Sequence, residues 1–307
     1  MDNKQEAKYI ERIEIKGLWG RYDVDWKLNP DVSILVGENG TGKSTILDTV
    51  FRCFKFQVTK KNLNSIFKGV KLSYMINNEK KNHSPYVYDG TVTYGENHTT
   101  ESGYSLETIP EADQFLLNFI STFDTISIIK DTEKSFFPEL NTEIDFFLNR
   151  GISSYKDYQL NLSNRIFNQK QDFNSVFEKK KYFFKTVNRL FAVTGKVIDE
   201  ENNGILFKID NLKINPYQLS AGEKQLLILL LTVLCQDEKP SILLMDEPEI
   251  SLHLRWQYEL IEIIRTLNPN CQVIITTHSP SIFGKGWRDK VFFIDTIVHP
   301  MKKEEMV

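Results

Sequence analysis

The sequence predicts an α/β fold with a mostly parallel sheet, an antiparallel β subdomain and an inserted helical arm. A strand of β-branched residues, VSILV (32–36), runs into a glycine-rich turn and then into an apolar helix. Strands and helices alternate from residue 222 to residue 295, which is typical of parallel sheets. Before that alternation, residues 139–193 carry apolar side chains at three- and four-residue steps, which indicates helix.

The N-terminal third is expected to be mostly strand. Apolar and polar residues alternate in YIERIEIK (9–16) and in YDVDWKL (22–28), ahead of VSILV. Residues 69–110 contain further short alternating pieces, which we interpret as antiparallel hairpins at the edge of the domain. FLLNFI (115–120) is predicted as a buried strand.

The helical arm is predicted to be amphipathic. One face carries apolar residues, namely Phe173, Val176, Phe177, Phe183, Phe184, Val187, Leu190 and Phe191. The opposite face carries basic residues that we expect to point to solvent, namely Lys179, Lys180, Lys181, Lys185 and Arg189. After the arm, residues 195–210 are predicted to form a hairpin whose turn contains Asn-Asn-Gly.

The C-terminal part supplies the strand–helix alternation. The predicted elements are a helix over 222–235, a strand over 241–245, a helix over 252–267, and strands over 272–277 and 290–295. No change of composition marks a linker between independent domains. We therefore expect a single domain, 1–307, with the arm 139–193 inserted in it.

The composition is that of an ordinary globular protein. With 41% hydrophobic residues and a net charge of −3, the chain lacks the overall basic charge that would indicate nucleic-acid binding. Its three cysteines are widely spaced, which fits reduced thiols better than disulfides or a zinc site. No signal peptide is recognised, and the apolar run 226–234 has about half the length needed to span a bilayer. We expect a cytoplasmic protein without a membrane partner.

GENGTGKST (37–45) matches the phosphate-binding pattern G-x-x-x-x-G-K-[ST], with a strand before it and a helix after it. In such a P-loop, glycines let backbone N–H groups face phosphate oxygens, and the helix N-terminus adds positive potential. Lys43 is expected to reach the β- and γ-phosphates, and Ser44 to bind Mg²⁺. The sequence thus predicts ATP or GTP binding by Gly37, Asn39, Gly40, Thr41, Gly42, Lys43, Ser44 and Thr45.

Two further segments place reactive side chains at the ends of predicted strands. SILLMDE (241–247) ends in Asp246, which can hold Mg²⁺ through water, and in Glu247, which can orient or deprotonate the attacking water. ITTHSP (275–280) places His278 just past the next strand. Because ligands gather at one edge of a parallel sheet, His278 is expected beside the γ-phosphate as a donor. The predicted catalytic residues are Glu247, His278 and Lys43.

LSAGEKQ (219–225) directly precedes the most apolar run of the chain and indicates the start of a helix. Ser220 and Glu223 fit a capping box, whereas Gly222 is a poor residue for a first helical turn. A helix N-terminus with a hydroxyl group and a residue lacking Cβ favours a second anion site, so Ser220, Gly222 and Glu223 are expected to contact nucleotide. These residues leave open whether that nucleotide belongs to the chain's own P-loop or to another chain's.

GENGTGKST, LSAGEKQ, LLMDEPEISLH and TTHS, in this order, resemble the Walker A, signature, Walker B with D-loop, and switch-histidine motifs of ABC-type ATPases. In that family two heads pack head to tail. The resemblance therefore implies a P-loop NTPase with an ABC-type ATPase head that binds ATP and Mg²⁺ as a homodimer or a higher oligomer. It also implies that Ser220 and Gly222 act on the ATP held by the other copy's P-loop.

The D-loop and the long insertion narrow the resemblance. EISLH (249–253) differs from the D-loop of transporter ATPases, and the insertion before LSAGE is similar to that of the soluble RecF, SMC and OLD-like branch. Members of that branch work in DNA repair or as ATPase subunits of bacterial anti-phage systems. The chain is too short for the long coiled coils of SMC proteins.

One family element is missing from its expected place. A Q-loop glutamine should follow the strand after the P-loop helix, but FLLNFI is followed by STFD, which leaves Ser121 or Thr122 for this role. The contact to the nucleotide base is unassigned as well. Its candidates are Trp19, Arg21 and Tyr22 in the first turn.

Three functions follow from the resemblance. The leading one is an ATPase that dimerises on ATP and controls an effector protein encoded nearby, in anti-phage defence or DNA repair. The second is a RecF-like ATPase that binds DNA through lysine runs at 60–61, 80–81 and 179–181, although solvated helix faces are the usual explanation of such runs. The third, an ATPase subunit of a membrane transporter, is disfavoured by the D-loop and the insertion.

Overall fold

The computed structural model describes residues 8–55, 67–77, 79–94, 99–106, 115–121, 142–167, 173–202 and 204–301. The chain divides into two compact units. The first consists of Met1–Phe119, Pro240–Glu247 and Gln272–Val307, and the second of Ile120–Lys239 and Pro248–Cys271.

The described residues contain strands and helices throughout. The strands are β1 Tyr9–Leu18, β2 Tyr22–Lys27, β3 Val32–Val36, β4 Gly69–Ile76, β5 Glu79–Tyr94, β6 Thr99–Leu106, β7 Leu116–Ile120, β8 Val197–Ile198, β9 Phe207–Ile209, β10 Leu212–Ile214, β11 Ser241–Asp246, β12 Cys271–Thr277, β13 Val291–Phe293 and β14 Val298–Pro300. The α-helices are α1 Lys43–Lys55, α2 Glu143–Phe167, α3 Phe173–Phe191, α4 Ala221–Cys235, α5 Leu254–Gln257, α6 Leu260–Leu267, α7 Pro280–Phe283 and α8 Ile294–Ile297.

An antiparallel sheet in the first unit has the strand order β14-β2-β1-β4-β5-β6. Ile13 and Ile15 of β1 are fully buried, whereas Glu14 between them forms an ion pair with Lys71 of β4 at 3.1 Å. This is the alternation expected of a sheet with one buried face. The hairpins predicted within residues 69–110 are confirmed as β4, β5 and β6.

A second sheet in this unit has the order β13-β3-β12-β11-β7, and both β12 and β13 run parallel to β3. Every residue of β11 and β12 is buried, as expected for central strands covered on both faces. The prediction that FLLNFI is a strand is correct, and its burial is confirmed in part: Phe115, Leu117 and Ile120 are buried, whereas Leu116 is 39% exposed because β7 lies at the edge of the sheet.

One hydrophobic core joins the two sheets and α1 within the first unit. Leu47, Val50 and Phe54 repeat at helical spacing on the buried side of α1. They share the core with Trp26 of β2 and Leu244 of β11. The core therefore holds the beginning of α1, and with it the P-loop, against the parallel sheet.

The second unit is built around α4, whose residues from Leu226 to Leu231 are all buried. The long helices α2 and α3 both contact α4. Buried aromatic residues lie between α2 and α3, where the ring centroids of Tyr155 and Phe183 are 6.5 Å apart. The helical prediction for the described part of 139–193 is correct. No helix in the described ranges is both long and apolar enough to cross a bilayer.

The basic face of α3 differs in part from the prediction. Lys181 and Lys185 are exposed, but the expectation that Lys180 points to solvent is wrong, because its Nζ lies 5.4 Å from the ring centroid of Phe184. A lysine stem is long enough to lie along an apolar surface. Burial there lowers the pKa of Lys180. Lys179 forms an ion pair with Glu238 at 3.1 Å.

Two predicted boundaries need correction. The helix expected over 252–267 is divided into α5 and α6, with the break at Tyr258 and Glu259. The strand expected over 290–295 ends at Phe293, since Ile294 begins α8. The hairpin at 195–210 is confirmed as β8 and β9, and β10 adds a third short strand to it.

Candidate functional site

Three loops of the first unit begin at the same edge of the parallel sheet. Val36, the last residue of β3, pairs with Thr277, the last residue of β12, so that the P-loop and His278 start level with each other. β11 ends at Asp246, and the next N–H, that of Glu247, donates to the Thr276 carbonyl oxygen at 2.9 Å. The fold thus gathers the loops that the sequence predicts as catalytic.

The P-loop has the backbone geometry that phosphate binding requires. Gly40 and Gly42 have φ values of +77° and +97°, which residues with a Cβ rarely adopt. A Cβ on Gly37 would lie 2.4 Å from Cγ2 of Ile294, so packing also requires glycine there. The loop leads into α1, whose first turn offers N–H groups to an anion.

Lys43 is 3% exposed and its ammonium group is enclosed by the site. Its Nζ donates to the carbonyl oxygens of Gly37 at 3.1 Å and Glu38 at 3.0 Å. The same Nζ lies 2.8 Å from Nε2 of His278. The cation is therefore held at the mouth of the P-loop, where it can meet phosphate oxygens.

Asp246 is a buried carboxylate bound by two hydroxyl groups. Ser44 Oγ donates to its Oδ1 at 3.0 Å, and Thr276 Oγ1 makes a second, short hydrogen bond to the same oxygen. A carboxylate and a serine hydroxyl are oxygen ligands of the kind that Mg²⁺ prefers. The described residues contain no group of three or more acidic, His or Cys side chains placed around a metal. Mg²⁺ fits this site because it usually takes one or two protein ligands with phosphate and water.

Glu247 lies between the lysine and the histidine. Its φ of +46° is in the left-handed region, which costs a residue with a Cβ on the order of 1 kcal/mol. Its Oε1 lies 2.8 Å from Nε2 of His278 and 3.9 Å from Nζ of Lys43. Nε2 can accept from Lys43 when it carries no proton and donate to Glu247 when it carries one.

Trp19 lies against the P-loop. It also has a positive φ, +52°, and a Cβ on Gly42 would be only 2.6 Å from Cη2 of its ring. The side chain is 38% exposed, so an aromatic surface beside the P-loop remains accessible. Of the other two candidates for the base contact, Tyr22 packs against the hydrophobic core and Arg21 is exposed.

LSAGEKQ lies in the second unit, and its capping box is confirmed there. Ser220 caps α4: its Oγ accepts the Glu223 N–H at 3.4 Å, and the Glu223 carboxylate accepts the Ser220 N–H at 2.9 Å. Gly222 has a packing reason that the sequence did not reveal. A Cβ on it would lie 2.2 Å from the carbonyl oxygen of Ser251.

A protein-family model described as "AAA domain, putative AbiEii toxin, Type IV TA system" matches residues 32–284. This range contains the P-loop, the LSAGEKQ turn, the two acidic residues and His278. The chain belongs to this AAA domain family.

Two relatives match most of the length of this chain. The chain is 22% identical to the "Retron Vc95 probable ATPase" of Vibrio cholerae serotype O1 biovar El Tor over 89% of this chain and 70% of that protein. It is 23% identical to the Septu protein PtuA of Bacillus thuringiensis over 88% of this chain and 72% of that protein.

A solved structure shows the fold of this AAA domain. An SMC head bound to the C-winged helix domain of ScpA aligns with a TM-score of 0.53 and 19% identity, covering 97% of this chain and 98% of that chain. This match confirms the α/β fold. The family model and the retron and Septu relatives, taken with this fold, are consistent with the predicted RecF, SMC and OLD-like branch of ABC-type ATPases.

The predicted site residues of the AAA domain fall into two groups. In the first unit, Lys43, Glu247 and His278 contact one another, and Ser44 contacts Asp246. The remaining P-loop residues form the turn before α1 and its first turn, namely Gly37, Asn39, Gly40, Thr41, Gly42 and Thr45. Ser220, Gly222 and Glu223 form the capped turn of the second unit.

Two residues with roles in these groups were missed. Thr276 donates a hydrogen bond to Asp246. The sequence offered a clue to it, because Thr276 is a polar residue near the end of the apolar strand QVIITT. Lys196 contacts Glu223. No local sequence pattern could predict this contact, because the two residues are 27 positions apart. Of the residues considered for the Q-loop role, Ser121 is described and partly exposed, whereas Thr122 lies outside the described residues.

Proposed function

We propose that this AAA domain hydrolyses ATP with Mg²⁺ in a head-to-tail dimer and thereby controls an effector protein in a defence system. The observation that carries the proposal is the cluster in the first unit. There a buried lysine, a buried aspartate with its serine partner, and a glutamate–histidine pair lie within hydrogen-bond or ion-pair distance of their neighbours. These are the groups that phosphoryl transfer to water requires.

Each side chain has a distinct role in this proposal. Lys43 stabilises negative charge on the β- and γ-phosphate oxygens. Ser44 and Asp246 hold Mg²⁺, which neutralises phosphate charge when bound. Glu247 takes the proton of the attacking water, and His278 holds that carboxylate in place and donates to the transferring group.

Trp19 is proposed as the surface on which the nucleotide base stacks. Its ring is partly exposed and adjoins Gly42, which places an aromatic face beside the phosphate-binding loop. Stacking on aromatic faces is a common way to bind a base without reading its hydrogen bonds.

The proposed dimer depends on Ser220 and Gly222, which lie in the turn that Glu223 caps. The family resemblance assigns this turn to the γ-phosphate of the other copy. Ser220 is exposed at the N-terminus of α4, a favourable position for a hydroxyl that binds an anion in trans.

The proposed defence role is supported by the retron and Septu relatives, which are ATPases of defence-associated type. DNA as a direct partner has less support, because one lysine in each of two of the three lysine runs is paired with an acidic residue. Lys80 forms an ion pair with Glu11 at 2.6 Å, and Lys179 forms one with Glu238 at 3.1 Å. The run at 60–61 lies outside the described residues.

The Glu247→Gln variant tests the catalytic part of the proposal. Losing the general base is expected to lower kcat by about 10²- to 10⁴-fold. ATP affinity should change little, because Lys43, Ser44 and Asp246 remain. The variant should accumulate as an ATP-bound dimer, measured by light scattering with and without ATP and Mg²⁺.

Lys43→Ala is the matched comparison, since it should weaken nucleotide binding itself. A Glu247→Gln protein that stays monomeric at saturating ATP and Mg²⁺ would contradict the head-to-tail dimer. Wild-type turnover in the same variant would instead remove Glu247 from the catalytic role.

A further inference from the structure

A buried carboxylate lies in the first turn of α4, where the proposed function needs to bind phosphate. The Glu223 side chain is 2% exposed. Its Oε2 accepts hydrogen bonds from the N–H and from the hydroxyl group of Ser220, each at 2.9 Å. A negative charge at this position would repel an incoming phosphate unless another group neutralises it.

Lys196 supplies the neutralising charge. Its Nζ lies 2.9 Å from Oε1 and 3.1 Å from Oε2 of Glu223, and its own side chain is 15% exposed. Thr194 adds a hydrogen bond to Oε1 at 2.8 Å. Burial alone would raise the pKa of Glu223, but the hydrogen bonds from Lys196, from the Ser220 N–H and from Thr194 outweigh it and hold that pKa below its usual value. Glu223 is therefore an ionised, paired group.

The neighbouring Lys224 does not replace Lys196 in this role. It is paired with Asp145 of α2 at 2.8 Å, and both side chains are largely buried. The turn thus contains two ion pairs, and removing one lysine leaves a net negative charge next to Ser220.

We propose that Lys196 is a positioning residue that keeps the Ser220 turn electrically neutral, so that it can accept the γ-phosphate of a second copy of this chain. This role rests on the proposed head-to-tail dimer. Lys196 also competes with the Ser220 hydroxyl for Oε2. It thereby weakens the hydrogen bond from the Ser220 hydroxyl to Glu223, so that this hydroxyl can donate a hydrogen bond to the phosphate instead.

The location of Lys196 connects this role to the helical arm. Lys196 follows the C-terminal end of α3, and Asp145 lies in the first turn of α2. Both ends of the helical segment are therefore bound by ion pairs to consecutive residues of α4, Glu223 and Lys224. A movement of the arm that separates Lys196 from Glu223 would leave the Glu223 carboxylate unpaired. Its negative charge would then oppose phosphate binding at Ser220.

The test uses the full chain carrying Glu247→Gln, in which ATP-dependent dimerisation can be measured without turnover. Adding Lys196→Met should raise the ATP concentration for half-maximal dimerisation by about tenfold or more. Binding of a fluorescent ATP analogue to the monomer should stay unchanged. Lys196→Arg keeps the charge and should dimerise nearly as the parent does.

A charge-neutral pair separates electrostatics from packing. Lys196→Met combined with Glu223→Gln removes both charges and should recover most of the lost dimerisation. Lys208→Met is the control, because Lys208 is a 40% exposed lysine that lies 3.7 Å from Asp199 in the same unit. It should behave as the parent. Thermal unfolding of each variant verifies that it is folded.

The outcomes distinguish the inference from the proposed function. A Glu247→Gln parent that does not dimerise on ATP overturns the dimer, and this role of Lys196 with it. A parent that dimerises while Lys196→Met dimerises equally well overturns the role of Lys196 alone. The inference is also overturned if Lys196→Met and the neutral pair lose ATP-dependent dimerisation to the same extent, or if both variants unfold. Either result would show that Lys196 contributes through packing and not through its charge.

Discussion

Asp246 depends on a hydroxyl group from the neighbouring strand. Thr276 is fully buried in β12, and its Oγ1 donates to the same carboxylate oxygen that Ser44 contacts. A hydrogen bond to a charged group contributes roughly 1.5–3 kcal/mol, and it also fixes the direction of the carboxylate. The orientation of the proposed Mg²⁺ ligand therefore depends on a residue that would not touch the metal.

Thr276→Val is expected to reduce ATPase activity by weakening the use of Mg²⁺. Valine has nearly the same shape, so β12 and the backbone bond from Glu247 should persist, while Asp246 loses one donor. We expect the Mg²⁺ concentration for half-maximal activity to rise about tenfold, measured by Mg²⁺ titration at saturating ATP.

Thr49→Val is the matched control for this prediction. Thr49 is also buried, but its hydroxyl donates to the Thr45 carbonyl oxygen within α1. Its loss should leave the Mg²⁺ requirement unchanged. An unchanged requirement in Thr276→Val as well would show that Ser44 alone orients Asp246.

At the level of secondary-structure elements, two glycines in helices of the second unit differ in whether the space beside them could hold a Cβ atom. Gly222 lies in the first turn of α4, and an added Cβ would lie 2.2 Å from a backbone oxygen, that of Ser251. Gly151 lies inside α2, where an added Cβ would meet only the flexible side chain of Leu231 at 3.5 Å, an ordinary contact. Helix propensity favours alanine at both positions, whereas packing forbids it at one.

Alanine substitutions should therefore change stability in opposite directions. Gly151→Ala is expected to stabilise the protein by about 0.5–1 kcal/mol. Gly222→Ala should destabilise it despite the same gain in helix propensity, since the Ser251 backbone must move. Thermal unfolding measures both, and an equal rise in Tm for the two variants would contradict the close approach at Gly222.

At the level of the whole molecule, the proposed dimer divides each ATP site between two copies. One copy supplies the group around Lys43, and the other supplies the turn at Ser220. Two variants, each defective in one half, should then complement each other. A site contained within one chain would not allow this.

Mixing Lys43→Ala with Ser220→Arg should restore activity that neither variant has alone. In a mixed dimer, one site combines the intact P-loop of one copy with the intact turn of the other. With random pairing at equal concentrations, about a quarter of wild-type activity is expected. Steady-state ATPase assays at several ratios measure it; no recovery, with mixed dimers shown by differently tagged chains, would reject shared sites.

Much of the fold and of the candidate site could be predicted because it depends on short-range patterns. The P-loop needs glycines at fixed spacing between a strand and a helix, and GENGTGKST provides them. Ser220 and Glu223 are three residues apart, so their capping box follows from helix geometry alone. Apolar runs likewise predicted β11 and β12 as strands of a parallel sheet, and every residue of both strands is buried.

Other features depend on contacts between residues far apart in the chain, which no local pattern encodes. Gly222 is constrained by the carbonyl oxygen of Ser251, and Glu223 is paired with Lys196 on a segment that precedes α4. Lys180 lies over aromatic rings because α2 packs beside α3. Sequence periodicity sets which face of an element is apolar, but the partner that covers this face, and the charge beside it, are decided only when the elements pack.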